Sequence, residues 1–81
     1  MRKIIAVYGP WGAELFDLPW CADLELAVTN GRRRIEEDDL RGGIWVADRL
    51  AEIPESVVSL ADCPDVSRDL DYFRLVVGLE E

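Results

Sequence analysis

The sequence predicts one α+β domain, in which a mostly antiparallel sheet of four to five strands carries one amphipathic helix on one face. Three observations support this prediction. The chain has 81 residues, 49% of them hydrophobic and 32% charged, which is typical of one folded domain. Residues 43–53 have helical periodicity, and the remaining apolar runs are short and strand-like.

The predicted helix at residues 43–53 rests on the angular positions of its side chains. At 100° per residue, the apolar side chains fall in one half of the helical wheel: Ile44, Val46, Ala47, Leu50, Ala51 and Ile53. Asp38 and Asp39 lie just upstream, where carboxylates favour a helix N-terminus. Pro54 cannot continue a helix, so both ends are marked.

The first predicted strand covers residues 3–8, which form a short apolar run. The following Gly9-Pro10-Trp11-Gly12 is a turn sequence, since Pro10 has the fixed φ that suits the second turn position. Residues 13–18 either return as a second strand or are irregular. Trp11 and Trp20 flank this section, and we expect both at the rim of the core.

Residues 24–37 allow two interpretations. Residues 24–29 alternate between apolar and polar and run into Asn30-Gly31, a strong hairpin signal, so that residues 32–37 become the partner strand. The rival interpretation makes residues 18–29 a helix that Asp17 caps and Gly31 ends. The strict alternation favours the hairpin.

The last two predicted strands cover residues 56–61 and 72–79, and a short helical segment to about Leu70 is expected between them. Both faces of the final strand are largely apolar, which indicates a central or well-covered position. The predicted core contains twelve residues: Ile5, Val7, Leu26, Val28, Ile35, Val46, Leu50, Ile53, Val58, Leu60, Leu75 and Val77.

The net charge of −8 is concentrated in the second half of the chain. Residues 1–35 carry four acids and five bases, whereas residues 36–81 carry thirteen acids and four bases. Direct nucleic-acid binding requires Lys and Arg to displace counterions from phosphates, so this charge argues against it. The charge favours a basic protein or nucleoprotein complex as the partner.

Two acidic groups are the candidate partner-binding residues. One is the run Glu36, Glu37, Asp38 and Asp39; the other is Asp62, Asp65 and Asp69, with Asp71 just beyond. The spacing i, i+3, i+7 of the second group places its carboxylates on one ridge if the segment is helical. Together the two groups resemble the charge of a nucleic-acid backbone, although charged surfaces usually serve only solubility.

Trp45 is the third candidate contact, because it falls in the polar half of the predicted helix and exposed tryptophan is a common interface anchor. Arg32, Arg33 and Arg34 form the one basic cluster, and we expect the acidic run that follows to neutralise it.

Catalysis and metal binding have little support. The chain has no histidine, no nucleophile-elbow serine and no glycine-rich phosphate loop. The acidic run lacks the spacing and the glycine of a calcium loop, and Cys21 and Cys63 do not form a zinc-ligand pair. We therefore expect no enzyme, no cofactor and no metal, and two ordinary thiols.

The apolar run near the N-terminus is too short for a signal-peptide core or a membrane span, since it stops at Gly9-Pro10. We expect a cytoplasmic protein that does not contact a membrane, and a monomer in preference to an oligomer.

In size, acidity, lack of catalytic motifs and α+β pattern, the chain resembles the small phage-encoded inhibitors of bacterial defence, of which anti-CRISPR proteins are the best-known group. The resemblance is one of composition over the whole length, so no residue role is transferred. It implies an inhibitor that occupies the basic nucleic-acid channel of a Cas complex. Small antitoxins and DNA-mimic proteins share this composition.

Two hypotheses of function follow. In the first, the protein is a non-catalytic acidic inhibitor that binds and blocks a basic, nucleic-acid-binding surface of a partner. In the second, it is a small regulatory or structural subunit that docks through an apolar patch containing Trp45.

Overall fold

The computed structural model describes residues 1–61 and 66–78 of the chain. Its elements are three strands, three α-helices and one 3-10 helix. In chain order they are β1 (Arg2–Gly9), β2 (Gly12–Pro19), α1 (Ala22–Glu37), β3 (Gly43–Ala47), the 3-10 helix (Leu50–Glu52), α2 (Glu55–Val58) and α3 (Leu70–Val76).

The three strands form one antiparallel sheet in the order β2-β1-β3. The predicted first strand and the turn after it are confirmed, because β1 and β2 form a hairpin whose tip is Pro10-Trp11. Gly12 has a φ of 122°, a conformation that glycine adopts readily. Residues 13–18 therefore belong to a returning strand.

The outer edge of β2 is covered by a later part of the chain. Ser67 accepts a hydrogen bond from the Asp17 N–H at 2.9 Å and donates its own N–H to the Leu15 carbonyl at 3.0 Å. A second parallel bridge joins Ala13 to Ala61. This edge of the sheet therefore has main-chain partners.

Helices cover both faces of the sheet, which makes three layers. On one face, the residues of β1 that alternate with Ala6 pack against α1 and α3. The buried members of this first cluster are Ile5, Val7, Phe16, Leu18, Leu24, Ala27, Val28, Ile35, Ile44, Phe73 and Val77. On the other face, the segment with the 3-10 helix and α2 covers a smaller second cluster, formed by Ala6, Leu15, Ala47, Ile53 and Val57.

The predicted hairpin at residues 24–29 and 32–37 is wrong, because both segments belong to α1. Buried positions recur at helical spacing through Leu24, Ala27, Val28 and Ile35. Gly31 does not form a turn. A Cβ there would lie 2.8 Å from Val77 Cβ, so glycine lets α1 approach the C-terminal end of α3 closely. The rival helix prediction is nearer, but the helix begins at Ala22 and continues past Gly31.

The predicted helix at residues 43–53 is also wrong. Gly43–Ala47 forms β3, paired with β1, and only Leu50–Glu52 is helical, as a 3-10 turn. The helical wheel misled because Ile44 and Ala47 are buried on opposite faces of the sheet, in the first and second clusters respectively. A five-residue strand buried on both faces imitates helical periodicity over so short a segment.

The strand predicted at 56–61 is wrong, because α2 and a turn occupy this range. The described part of the strand predicted at 72–79 lies mostly in α3, and Leu79 lies outside the described residues. The predicted helix before Leu70 is absent from Val66 to Asp69, which the structure describes as non-helical. The α+β class is thus correct, but among the described residues the sheet has three strands instead of four or five, and three α-helices and one 3-10 helix accompany it instead of one helix.

The core prediction is corrected at the same places. Six of the twelve residues are buried: Ile5, Val7, Val28, Ile35, Ile53 and Val77. Val46 and Val58 are half-buried. Four are exposed, namely Leu26, Leu50, Leu60 and Leu75, since each was assigned to an element it does not occupy. Trp20 packs at the rim of the first cluster as expected, whereas Trp11 is 52% exposed.

We predict that Phe73→Ala destabilises the protein by about 3–5 kcal/mol, the usual cost of truncating a buried phenylalanine. Phe73 is fully buried and makes an edge contact with Phe16, with ring centroids 5.1 Å apart. Leu75→Ala on the same helix is the control, and because Leu75 is 62% exposed it should change the unfolding free energy by less than about 1 kcal/mol. Urea unfolding measures both, and equal costs would contradict the packing of α3.

Candidate functional site

Four consecutive carboxylates follow one another where α1 ends. Glu36 and Glu37 are its last residues, Asp38 is the C-cap and Asp39 has a φ of 52°, in the left-handed region. The N–H of Asp38 donates to the Arg34 carbonyl at 2.9 Å, and that of Leu40 to the Ile35 carbonyl at 3.0 Å. We call Glu36–Asp39 the acidic turn, and all four of its residues are exposed.

The acidic turn is electrostatically unfavourable for the helix that carries it. The C-terminal end of a helix has a partial negative charge, so carboxylates there reduce helix stability by some tenths of a kcal/mol each. Among the described residues, the compensation is one ion pair, between Arg34 Nε and Asp38 Oδ2 at 3.7 Å. A local arrangement that opposes stability is a common property of functional surfaces.

An open groove adjoins the acidic turn. The described residues leave a space of about 250 Å³ between the end of α1, the tip of the β1–β2 hairpin and the end of α3. Val7 and Ile35 line its base, and the exposed side chains of Trp11 and Leu40 stand at its rim. Asp38 also lines it, so the groove joins apolar and acidic surface.

Arg34 fixes one wall of this groove. Its Nη1 donates to the Gly78 carbonyl at 2.6 Å, while its Nε faces Asp38. The guanidinium therefore connects the end of α3 with the acidic turn. This contact orders the groove and partly neutralises Asp38, whereas Glu36, Glu37 and Asp39 have no ion pair among the described residues.

Trp45 lies elsewhere. In the register of the sheet it is opposite Ala6, on the face that α2 covers, whereas α1 packs on the other face. Its side chain is 42% exposed, so it is available as a contact residue. It belongs to the strand β3 and not to a helix, and the structure does not bring it into the acidic groove.

Of the second acidic group, the structure describes Asp69 and Asp71. Asp69 is the N-cap of α3, and its carboxylate accepts a hydrogen bond from the Tyr72 N–H at 3.0 Å. Asp71 is exposed in the first turn. Asp62 and Asp65 lie outside the described residues. Because α3 runs for seven residues between Asp69 and the groove, about 10 Å of helix separates Asp69 from the acidic turn.

The three arginines of α1 have different environments. Arg34 pairs with Asp38, as predicted for the cluster. Arg32 instead donates from Nη2 to the carbonyl of Ile44 at 3.1 Å, and no ion pair of Arg33 occurs in residues 1–61 and 66–78. Neutralisation of this cluster by the acidic turn is therefore limited to Arg34.

No group of three or more metal-ligating side chains comes together in the part of the chain that the structure describes. Cys21 is a free, exposed thiol at the start of α1, and Cys63 lies outside the described residues. In the same ranges, none of the helices is long and apolar enough to span a membrane.

Among the residues that the structure describes, two side chains have shifted pKa values, and both shifts have a hydrogen bond as their main cause. The bond from Lys3 lowers the pKa of the Asp48 carboxyl, and the positive charge of Lys3 adds to the effect. The hydroxyl of Tyr72 donates to Glu14 Oε1 at 3.1 Å, and this bond raises the pKa of Tyr72. Both contacts join different elements, β1 with the end of β3 and α3 with β2.

The groove was missed at the level of sequence because its parts are far apart in the chain. Trp11 precedes Leu40 by 29 positions, and Val76 and Gly78 follow much later. Trp11 was expected at the rim of the core, whereas its side chain is 52% exposed and its ring lies against Gly9. No pattern in the sequence indicates that Leu40 turns towards the same groove.

Comparison with known proteins adds no relative: no family model matches the chain, and neither a curated protein nor a solved structure matches it significantly.

We predict that Asp69 is needed for stability as a helix cap. Asp69→Ala should reduce the unfolding free energy by about 1 kcal/mol, whereas Asp69→Asn should retain most of it, because the amide oxygen can still accept the Tyr72 N–H. Urea unfolding of both variants distinguishes a cap from a contact residue. Equal stability of the alanine variant and the native protein would contradict the capping role of Asp69.

We predict that Glu14→Gln lowers the pKa of Tyr72 towards its ordinary value, since the hydrogen bond to the carboxylate is the main cause of the raised pKa. A tyrosine with a raised folded-state pKa stabilises the fold below its unfolded pKa, and this contribution is lost as pH rises through the folded pKa. Ultraviolet absorbance of tyrosinate against pH measures the shift. An unchanged titration of Tyr72 in Glu14→Gln would contradict the contact.

Proposed function

We propose that the protein is a cytoplasmic, non-catalytic acidic protein that binds and blocks a basic, nucleic-acid-binding surface of a partner protein, in the manner of anti-CRISPR inhibitors. The observation that carries the proposal is the acidic turn, where four exposed carboxylates stand at the unfavourable end of a helix. Of these four carboxylates, only that of Asp38 forms an ion pair with another described residue.

Charge alone gives attraction but little specificity. The groove provides apolar contacts that can make binding specific. Long-range attraction between a net charge of −8 and a basic surface accelerates encounter. Residence then depends on desolvated apolar contacts, which slow dissociation. Trp11 and Leu40 supply such contacts directly beside Asp38. We therefore infer a partner surface in which Arg or Lys side chains surround at least one apolar residue.

The contribution of each carboxylate is expected to be small. Exposed ion pairs contribute between about 0 and 1 kcal/mol each, and salt screens them. The acidic turn acts through the sum of its charges, so a single neutralisation is a poor test. Neutralising several of its residues at once, with the apolar groove left intact, separates the electrostatic part of binding from the apolar part.

A second candidate function is a regulatory or structural subunit that docks through apolar surface, and Trp45 is the observation that favours it. Tryptophan is enriched at protein interfaces, and the side chain of Trp45 is 42% exposed. This docking would be insensitive to salt and lost in Trp45→Ala, whereas binding through the acidic turn would be weakened by salt and retained in that variant.

We predict that neutralising Glu36→Gln, Glu37→Gln and Asp39→Asn together abolishes capture of the partner. Asp38 is retained, so that its contact with Arg34 still orders the groove. The measurement is capture of proteins by the immobilised chain at 0.1 M and 0.5 M salt, where the Debye length falls from about 10 Å to roughly 4 Å. Native protein should lose its partner at 0.5 M salt, and duplex DNA or RNA should displace the partner at 0.1 M.

The matched control is Asp23→Asn, Glu25→Gln and Glu55→Gln, which changes the net charge equally at three exposed positions outside the acidic turn. This control should still capture the partner. If both triple variants behave alike, the site is diffuse and the acidic turn has no special role. If nucleic acid and this protein occupy the same partner together without mutual effect, the blocking function is excluded.

A further inference from the structure

The two edges of the sheet differ in their main-chain partners. The edge of β2 is covered by Ser67 and Ala61. The edge of β3 has no such cover, because among residues 1–61 and 66–78 the only strand paired with Gly43–Ala47 is β1, and no other backbone hydrogen bond reaches it. An uncovered edge presents main-chain groups that another extended segment can pair with.

The bond between Arg32 and Ile44 shows which groups face outwards. In an antiparallel strand, the N–H and C=O of one residue point to the same side, and the side alternates from residue to residue. The Ile44 carbonyl accepts from Arg32 of α1, which lies outside the sheet, so we infer that the main-chain groups of Ile44, and by alternation those of Val46, point away from β1. Those of Trp45 then point towards Ala6, its partner in the register.

Arginines surround this edge, although the protein as a whole is acidic. Arg32 lies against Ile44, Arg41 precedes β3 and Arg49 follows it, and all three are exposed. None has a carboxylate within ion-pair distance in the described ranges. Asp48, the acidic residue beside the strand, pairs with Lys3, and the charge of Arg49 also acts on it. Glu36 lies one turn beyond Arg32 on α1, but it forms no ion pair in the described ranges.

We propose that the edge of β3 binds an extended acidic segment of a partner protein by strand addition, at a site separate from the acidic turn. The incoming strand pairs with the N–H and C=O groups of Ile44 and Val46, and Arg32 leaves the Ile44 carbonyl to pair with a carboxylate of the segment. On the other face, an apolar side chain of the segment packs on Trp45.

A second copy of the chain fits the edge less well. Antiparallel self-pairing about Trp45 would satisfy the main chain, but it places Arg41 of one copy opposite Arg49 of the other. Like charges directly opposite each other in a sheet are unfavourable. Charge complementarity therefore selects an acidic segment as the occupant.

The test uses the full chain and an eight-residue synthetic peptide in which Glu alternates with Val, so that carboxylates face Arg32 and valines face Trp45. A peptide with Lys in place of Glu is the control. Isothermal calorimetry should give saturable binding of the Glu peptide, with the Lys peptide at least about tenfold weaker, a factor equivalent to 1.4 kcal/mol. Absence of saturable Glu-peptide binding at 1 mM peptide, a concentration chosen to detect even weak affinity, overturns the proposal.

Arg32→Glu and Arg33→Glu form a matched pair, since both change the same charge on neighbouring positions of α1 and only Arg32 reaches β3. Arg32→Glu should weaken binding at least about tenfold and Arg33→Glu less than about threefold. Equal losses would mean that the peptide responds to overall charge, which contradicts a site on the edge.

Amide hydrogen exchange tests the geometry without a variant. Bound Glu peptide should slow exchange at the N–H groups of Ile44 and Val46, which face outwards, and leave that of Trp45 unchanged. Protection confined to the acidic turn or to the groove would overturn strand addition. Sedimentation of the protein alone tests whether a second copy of the chain occupies the edge. We expect a monomer, and a dimer formed without peptide would assign the edge to a second copy.

Discussion

The structure depends on a central strand that is apolar on both faces. Ile5, Ala6 and Val7 are consecutive and essentially inaccessible to solvent, so their side chains require cover on opposite sides of the sheet. A chain of 81 residues cannot supply two large layers. It supplies one substantial layer from α1 and α3, and a thin one from the segment of the 3-10 helix and α2. Every other element is placed by this requirement.

The same requirement determines where charge can be placed. The helices turn their apolar sides towards β1, so their charged residues lie on the solvent side, and the carboxylates of the acidic turn follow where α1 ends. Four carboxylates form the acidic turn, and the exposed Arg32, Arg41 and Arg49 lie near β3 together with Asp48. Charges of both signs therefore lie close together in this part of the fold, which the net charge of −8 does not show.

The part of the fold that could be read from the sequence is the part built by local interactions. The turn at Pro10-Trp11 and the strand before it follow from the properties of proline and glycine and from a short apolar run. The identity of α1 could not be settled, because Leu24 and Val28 satisfy both a period of two and a helical spacing. Gly31, which reads as a turn residue, is explained only by the close approach of Val77, 46 positions later in the chain.

In the candidate site, too, local features could be predicted from the sequence and contacts between distant segments could not. The four carboxylates of the acidic turn are adjacent in the chain, so their proximity was certain. The groove beside them unites a hairpin tip, the end of α1 and the end of α3, and no local pattern predicts such a meeting. Asp69 was assigned to a contact surface, although it caps a helix whose existence depends on the burial of Phe73 against the sheet.

The main-chain contacts that cover the edge of β2 have a consequence for the order of folding. The β1–β2 hairpin joins neighbouring residues and can form early, whereas the bridge from Phe16 to Ser67 closes a loop of 51 residues. Closing so long a loop carries a larger entropic cost than forming a hairpin. Until that loop closes, the hairpin exposes a second free edge, so newly synthesised chains are most susceptible to wrong strand pairing in the interval before their final third is in place.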